Sequence, residues 1–430
     1  MSAGNSLMCV MKQEDSNQNN WLSFVDYALL AALSIVSVLG TWNPFAPNVG
    51  YNQNENNLLA QCVIIVLTIY LFYRCLFINK EIFFINRTDL CLLIFNFIFA
   101  CNSFAQSERF ELSDVVFQVK LFIDIILMIL LRYLFVHNEH YINYSIVCYI
   151  ICSIIISTLF LLGFLEPYTA IRSGRVYING ENPNSTSGRF VLAAIFLIYM
   201  IIYNPYKWDL RRFIGLVLFV PLIAIIVASG SRGSIIILAC CVAALILTCN
   251  LPLKFKGCLL GALLVVLAIY YNFYFVNVVN EYSVLSRFEQ LINGNDAGRS
   301  MLIEEAKILF YDSPWFGYGA KGFAEQMLFR FNERHTVHHL YYYLLATGGI
   351  IGSLPFFIFM MIYCYESIRI IKYQNMSLVL MLFNILLFSK TGGVLTYALI
   401  WYLFSIISSY IEIYKFKHNL CNNFGAESDI

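Results

Sequence analysis

Long apolar runs separated by short polar connections recur along most of this chain. A run of about 20 apolar residues matches the hydrocarbon thickness of a bilayer, and a helix satisfies its own backbone there. Such runs lie near residues 24–43, 58–78, 90–105, 114–136, 143–166, 190–204, 213–229, 234–250, 258–277, 349–365, 376–390 and 394–414. The pattern predicts an all-α integral membrane protein with about twelve transmembrane helices. One polar stretch, 278–337, behaves differently. Its sequence SMLIEEAKILFYDSPWFGYG places apolar residues every three to four positions and then meets a turn with Pro and Gly. That spacing predicts an ordered amphipathic helix rather than a linker. The chain therefore divides into a bundle of about nine helices over 1–277, a large loop over 278–338, and C-terminal spans with a polar tail over 339–430.

Composition narrows the class. Sixty per cent of the residues are hydrophobic and 12% are charged, about half the charge of a soluble domain. Residues 1–20 are polar and lack the layout of a cleavable signal peptide. Of the thirteen cysteines, Cys62, Cys91, Cys148, Cys152, Cys240, Cys241 and Cys258 lie in apolar runs, and the long polar loop has none. Buried Cys behaves as a small apolar residue, so neither a disulfide framework nor a metal cluster is expected. The net charge of +1 identifies no partner and gives no reason to expect nucleic acid. The positions of the charges are more informative.

With the N-terminus inside, the inner connections hold Arg74, Lys80 and Arg87, then Lys207, Arg211 and Arg212, then Lys254 and Lys256, then Arg369 and Lys372, with Lys415 and Lys417 in the tail. The first outer loop, PFAPNVGYNQNENN, has no basic residue. This is the expected bias of Lys and Arg toward the cytoplasm, and it predicts that both termini are cytoplasmic. Arg172, Arg175, Arg189, Arg232, Arg287, Arg299, Arg330 and Arg334 then fall outside, in a loop at 167–189, the turn SGSRGS at 229–234 and the long loop.

Arg232 sits between two apolar helices, where an ionisable group is costly unless it is paired or functional. Ser229, Gly230, Gly233 and Ser234 flank it with hydroxyls and room for close approach. A snorkelling Arg at a helix end is the plainer reading. Arg299 opens the amphipathic segment, either as part of a site or as a solvated partner of Glu304 or Asp296. His338 and His339 close the long loop. One imidazole there suits proton handling or hydrogen bonding near neutral pH, while His335 and His339 at helical spacing leave a metal site open. Lys120 and Asp124 are one helical turn apart in the fourth span, either as a buried ion pair or with Lys120 adding to the outer positive field. Several cations and one or two histidines suit an anionic, phosphate-bearing ligand, because guanidinium groups pair bidentately with phosphate oxygens. Outside a cell membrane the simplest such ligand is a lipid-linked diphosphate.

These residues also carry a resemblance. From His338 the chain reads His-His, nine residues, Gly349, two residues, Gly352. This resembles the His-(Asn/Ser/Gln)-nine-Gly-two-Gly signature of the O-antigen ligase and polymerase superfamily of bacterial membrane glycosyltransferases, with His339 as a departure at the amide or hydroxyl position. ASGSRGSIIIL at 228–238 is similar to the family's Ser/Thr-Arg turn before an apolar helix. The segment 296–323 is similar to its Arg, amphipathic helix, Pro-x-x-Gly-x-Gly pattern, and GENPNSTSGRF at 180–190 resembles an Asn-Pro-Asn element before a middle helix. Lys120 falls where related chains often carry Lys on the fourth span. The match in order and spacing covers residues 120–352.

The resemblance implies a GT-C-like fold in the bacterial inner membrane, with the active site facing the periplasm. It also implies a metal-independent transfer without a cofactor. The donor would be an undecaprenyl-diphosphate-linked oligosaccharide, whose anomeric carbon is attacked by a sugar hydroxyl. Arg232 and Arg299 would hold and stabilise the departing diphosphate, and His338 would activate or position the acceptor. Lys120, Asn184, Arg189, Ser229 and His339 would line the substrate site. The acceptor would be another lipid-linked repeat unit in a polymerase, which could work with a chain-length regulator, or lipid A core in a ligase. His339 and the Asn-Pro-Asn element favour the polymerase. A transporter or flippase of a lipid-linked anionic glycan would use the same cations, but no internal repeat of the kind such proteins show is visible.

Overall fold

The computed structural model describes residues 18–40, 58–78, 85–105, 112–165, 167–169, 176–178, 183–203, 210–229, 231–250, 299–332, 337–391 and 394–423, with a few positions between 252 and 261. Its elements in chain order are α1 (Gln18–Leu39), α2 (Leu58–Tyr73, continued by a π-turn over Arg74–Ile78), α3 (Arg87–Ala105), α4 (Leu112–His137) and α5 (His140–Leu161). Two three-residue strands follow, β1 (Pro167–Thr169) and β2 (Val176–Ile178), paired antiparallel with Tyr168 opposite Tyr177. Then come α6 (Pro183–Tyr203), α7 (Leu210–Ala228), α8 (Arg232–Thr248), α9 (Arg299–Asp312), α10 (Gly319–Phe331), α11 (Leu340–Arg369), α12 (Met376–Phe388) and α13 (Ala398–Asn423).

Among the described residues six helices are long and apolar enough to cross a membrane: Leu22–Leu39, Ala60–Ile78, Arg87–Ala105, His140–Leu161, Asn184–Ile202 and Leu340–Arg369. Shorter apolar helices cover Val217–Ala228, Gly233–Thr248 and Met376–Phe388. Large apolar side chains such as Ile69, Phe77, Phe97, Val220 and Met361 point outward, each more than 60% exposed. An apolar surface of that kind is stable against lipid and unstable against water. The protein is an α-helical integral membrane protein.

Several boundaries differ from the sequence reading. The helix expected from 349 begins at Leu340 and runs thirty residues to Arg369, because aromatic and apolar residues start directly after the histidines. Asn184 and Arg189 lie in the first turns of α6 instead of the preceding loop, and Arg232 is the first residue of α8. Lys415 and Lys417 continue α13 instead of forming a loose tail. The run 258–277 falls almost wholly outside the described residues, as do Arg172, Arg175, Arg287, Arg334 and His335.

The segment Ile400–Ile411 of α13 is buried on every side and forms the axis of the bundle. Small residues allow this. Ser405 and Ser409 donate back to the carbonyls of Tyr402 (2.7 Å) and Ser405 (2.6 Å), so neighbouring helices approach closely without unsatisfied hydroxyls. Around this axis α13 packs on α4, α3 on α11, α1 on α5, and α6 on both α7 and α8.

Charged groups cluster away from lipid. Asp26 accepts from the hydroxyls of Tyr70 (2.9 Å) and Tyr141 (2.8 Å) and pairs with Arg74. Arg132 pairs with Asp89 at 2.6 Å and Glu412 at 3.4 Å. The Asn86 amide nitrogen of the side chain donates to Glu412 at 2.7 Å. Asp89 and Asn102 are the two ends of one helix, on the order of 20 Å apart. The Asp89 cluster therefore marks one end of the bundle and Asn102 the other.

The predicted amphipathic helix is α9, and α10 follows it. Leu302, Ala306, Leu309, Phe323, Met327 and Val337 form a second small core that Ala346 of α11 closes. This module docks on a break in α11. Gly349 has φ 61°, ψ −166° inside the helix. Two amides that would bond within the helix donate to the module instead: Ile350 N–H to Pro314 at 2.8 Å and Ile351 N–H to Trp315 at 3.1 Å. The freed Ala346 carbonyl accepts from Tyr318 N–H at 3.0 Å. Asn102 donates to the carbonyls of Phe316 and, at 3.2 Å, Gly348. The redirected amides and the Ala346 and Gly348 carbonyls thus find partners outside the helix, as burial favours.

A side chain at Gly349 would meet the backbone of Trp315 and Phe316, and its backbone conformation is open only to glycine. Gly349→Ala should therefore cost on the order of 3–5 kcal/mol. The expected readout is a lowered melting temperature in detergent, with faster proteolysis of the 299–332 module at temperatures where the wild type resists.

Candidate functional site

The predicted site residues that lie in described segments gather at the end of the bundle marked by Asn102. Lys120 is near the start of α4, on the order of 18 Å along that helix from Arg132, which belongs to the opposite end. Asn184 and Arg189 are at the start of α6, Arg232 at the start of α8 and His338 and His339 immediately before α11. Gly40 closes α1 at the same end, and its Cα lies against the guanidinium of Arg189.

Lys120 and Arg189 share an open cleft of about 520 Å³, whose walls include Gln61, Thr396 and Tyr397. Arg189 is 4% exposed, and Tyr149 donates its hydroxyl to the Arg189 carbonyl at 3.1 Å. A second recess of about 300 Å³ joins Arg189 to Ser185, Thr391 and Tyr397. Among the described residues no carboxylate lines either space. Asp124 is fully buried with both carboxylate oxygens lacking a hydrogen-bond partner, and the Lys120 charge one turn away acts on it through space.

The starts of α6 and α8 are tied together by hydroxyls. Ser187 and Ser234 are 2.6 Å apart, and Ser231 and Ser234 2.9 Å apart, all buried. Asn184 accepts from Ser187 through its backbone carbonyl at 3.1 Å. Ser229 is committed locally, donating to the Ile226 carbonyl at 2.6 Å. It directly follows α7 and also accepts from the Ser231 N–H at 3.4 Å.

Arg299 is the half-buried first residue of α9 and is carried by the docked module. Glu304, one partner considered for it, pairs with Lys307 at 2.6 Å. His338 is half-buried. His339 is extended at the N-cap of α11, with its ring 4.7 Å from that of Tyr342 and 5.5 Å from that of Tyr341. The Nδ1 of His339 is buried without a partner, and burial lowers its pKa below the ordinary histidine value. Among the described residues no group of three or more His, Cys, Asp or Glu side chains is placed to hold a metal.

Two features were missed from the sequence. Tyr397 lines both spaces. Lys390, just past the end of α12, has its ammonium directly over the Cα of Gly233. As a basic residue at the end of an apolar span, Lys390 carried the same signal as Arg232.

The fold and site define a multi-pass helical membrane protein with a cationic cleft and a docked helical module at one end. Residues 216–357, about a third of the chain, match the family model described as O-antigen ligase. Over that segment the chain is similar to the O-antigen ligase family. No curated protein matches the chain by sequence.

A titration follows from His339. Its folded pKa lies below that of the unfolded chain, so the unfolded state binds the proton first as pH falls. Stability is then lost as pH drops through about 6.5 and below. His339→Asn should show a smaller difference in melting temperature between pH 7.5 and 5.5 than the wild type. An equal or larger difference would assign the pH dependence to other groups.

Proposed function

We propose that the protein is a surface-polysaccharide polymerase of GT-C type in the bacterial inner membrane. It transfers an undecaprenyl-diphosphate-linked glycan onto a sugar hydroxyl of another lipid-linked repeat unit at the periplasmic face. The observation that carries this reading is that Arg232, Arg299 and His338 all fall inside the segment matching the O-antigen ligase family. The gathering of Lys120, Arg189 and the starts of α6, α8 and α11 at one end supports it further.

In this mechanism the acceptor hydroxyl oxygen attacks the anomeric carbon of the donor. The bond from that carbon to the diphosphate oxygen breaks, and undecaprenyl diphosphate leaves with the electron pair. His338 positions the hydroxyl and takes its proton. Arg232 and Arg299 stabilise the charge that develops on the diphosphate, where preorganised donors act most strongly. Lys120 and Arg189 hold the donor's remaining phosphate charge or the adjoining sugars, and Asn184 contributes a polar edge. Both termini lie in the cytoplasm, and residues 278–338 form the periplasmic loop.

A ligase reading uses the same donor and chemistry with lipid A core as acceptor. The match to a family described as O-antigen ligase favours it, whereas His339 and the Asn-Pro-Asn element favour the polymerase. Transport of the same lipid-linked glycan is the remaining alternative.

Purified protein in liposomes, given undecaprenyl-diphosphate-linked repeat units alone, should yield a ladder of longer lipid-linked glycans. Product appearing only with lipid A core would make it the ligase, and glycan crossing the bilayer without elongation would make it a transporter. Arg232→Ala and Arg299→Ala should each lower the rate about 10²–10³-fold, and His338→Ala about 10²–10⁴-fold. In all three variants the melting temperature should stay close to that of the wild type. A fully active, stable Arg232→Ala protein would remove the diphosphate role from that residue.

A further inference from the structure

We infer that Lys390 is a further phosphate-binding residue of this site, and that Gly233 is a glycine in order to seat its ammonium. The inference rests on the diphosphate-donor reading above. Lys390 lies in the turn after α12, where its position is held by the helix end. Its own N–H and that of Thr391 donate to the Leu387 carbonyl at 3.0 and 3.1 Å, and the Thr391 hydroxyl donates to the same carbonyl at 2.8 Å. Leu387 also touches the start of α6 at Gly188, 3.5 Å from where a Cβ would stand.

From this fixed point the lysine side chain crosses onto the first turn of α8. Its Nζ and Cε occupy the space that any side chain at Gly233 would need. Arg232 immediately precedes Gly233 in that turn. Beneath it runs the buried hydroxyl chain of Ser231, Ser234 and Ser187. Thr391, the neighbour of Lys390, lines the recess that also holds Arg189, and Arg189 lines the cleft that holds Lys120. Lys390 therefore continues a run of cations from the Lys120 cleft to the Arg232 turn.

The positions of Lys390 argue for a ligand role. Unlike the inner basic residues, it is at the end of the bundle where the bias of Lys and Arg toward the cytoplasm does not account for it. Like charges gathered at a partly buried interface repel one another and are stabilised by a polyvalent anion between them. A diphosphate bearing two or more negative charges has the size and charge to bridge such groups, and a compact ammonium contacts a phosphate without demanding a bidentate geometry.

The test measures binding of undecaprenyl diphosphate to the full-length protein in phosphatidylcholine nanodiscs. Wild type is compared with Lys390→Met, Lys390→Arg, Gly233→Ala, the double variant Lys390→Ala/Gly233→Ala, and Arg232→Ala. Lys390→Met should weaken binding about 10- to 100-fold, the range for a lost charge-assisted hydrogen bond, and should flatten its salt dependence. Lys390→Arg should retain most of the affinity. Gly233→Ala should weaken binding in the presence of Lys390 and add nothing to Lys390→Ala, because the displaced ammonium is then absent. If Lys390→Met lowers the melting temperature, the Gly233→Ala comparison carries the same test with the lysine kept.

Wild-type affinity in Lys390→Met, with binding lost in Arg232→Ala, would overturn the inference and leave the proposed function standing. Unchanged binding in both variants would overturn the diphosphate reading itself. Equal competition by phosphatidylglycerol would show a general lipid-phosphate site and overturn the assignment to the donor.

Discussion

The site depends on one interruption of backbone hydrogen bonding, the break at Gly349. A straight α11 would use the amides of Ile350 and Ile351 internally and would leave the module around Pro314 and Trp315 without a fixed seat. The break exchanges those bonds for equivalent ones to the module, so the helix loses little while the module gains a rigid anchor. Gly317 makes the complementary approach. Its φ is 65°, and a side chain there would stand 2.6 Å from the Thr347 backbone. Two glycine-containing motifs far apart in sequence are therefore two halves of one joint, and each is glycine because the other backbone lies against it.

That joint sets where the candidate site residues of α9 and α11 sit. Arg299 begins the helix whose far end runs into the Pro314 turn, and His338 and His339 lead directly into α11. At the neighbouring helix ends, Tyr341 of α11 donates to the Ile385 carbonyl of α12 at 3.4 Å, and the next turn of α12 reaches Gly188 and Gly233. The docked module, α11, α12, and the starts of α6 and α8 form one continuous packed path. A chemically active group placed on this path has neighbours that resist displacement, which preorganised catalysis requires.

The two ends of the bundle use charge differently. Around Asp26 and Asp89, carboxylates and guanidiniums satisfy one another in buried networks with hydrogen bonds from Tyr70, Tyr141 and Asn86. These groups stabilise a single arrangement of α1 to α5 and α13, since a buried charge without its partner would be costly. At the opposite end the clefts around Lys120 and Arg189 hold cations and hydroxyls, and no acid lines them among the described residues. One end is internally neutralised, and at the other the described lining includes Lys120 and Arg189 without an acid.

The sequence alone determined the membrane class and the approximate helices, and it named the candidate site residues. Hydrophobic length reports the solvent directly, and the Ser-Arg turn, the Pro-x-x-Gly-x-Gly segment and the His-nine-Gly-two-Gly segment are local patterns. It misplaced Arg189 and Asn184 in a loop because polar residues at a helix start read as loop when only apolar runs are counted. It left Lys120 either paired with Asp124 or adding to the positive field at the helix end, and packing places Lys120 in a cleft with Arg189 while burying Asp124 without a hydrogen-bond partner. Only the tertiary structure decided that Gly349 meets the Trp315 backbone, that Gly233 meets Lys390, and that Ser187 meets Ser234. Each of those contacts joins positions distant in the chain, and their existence depends on how helices pack, which no local periodicity encodes.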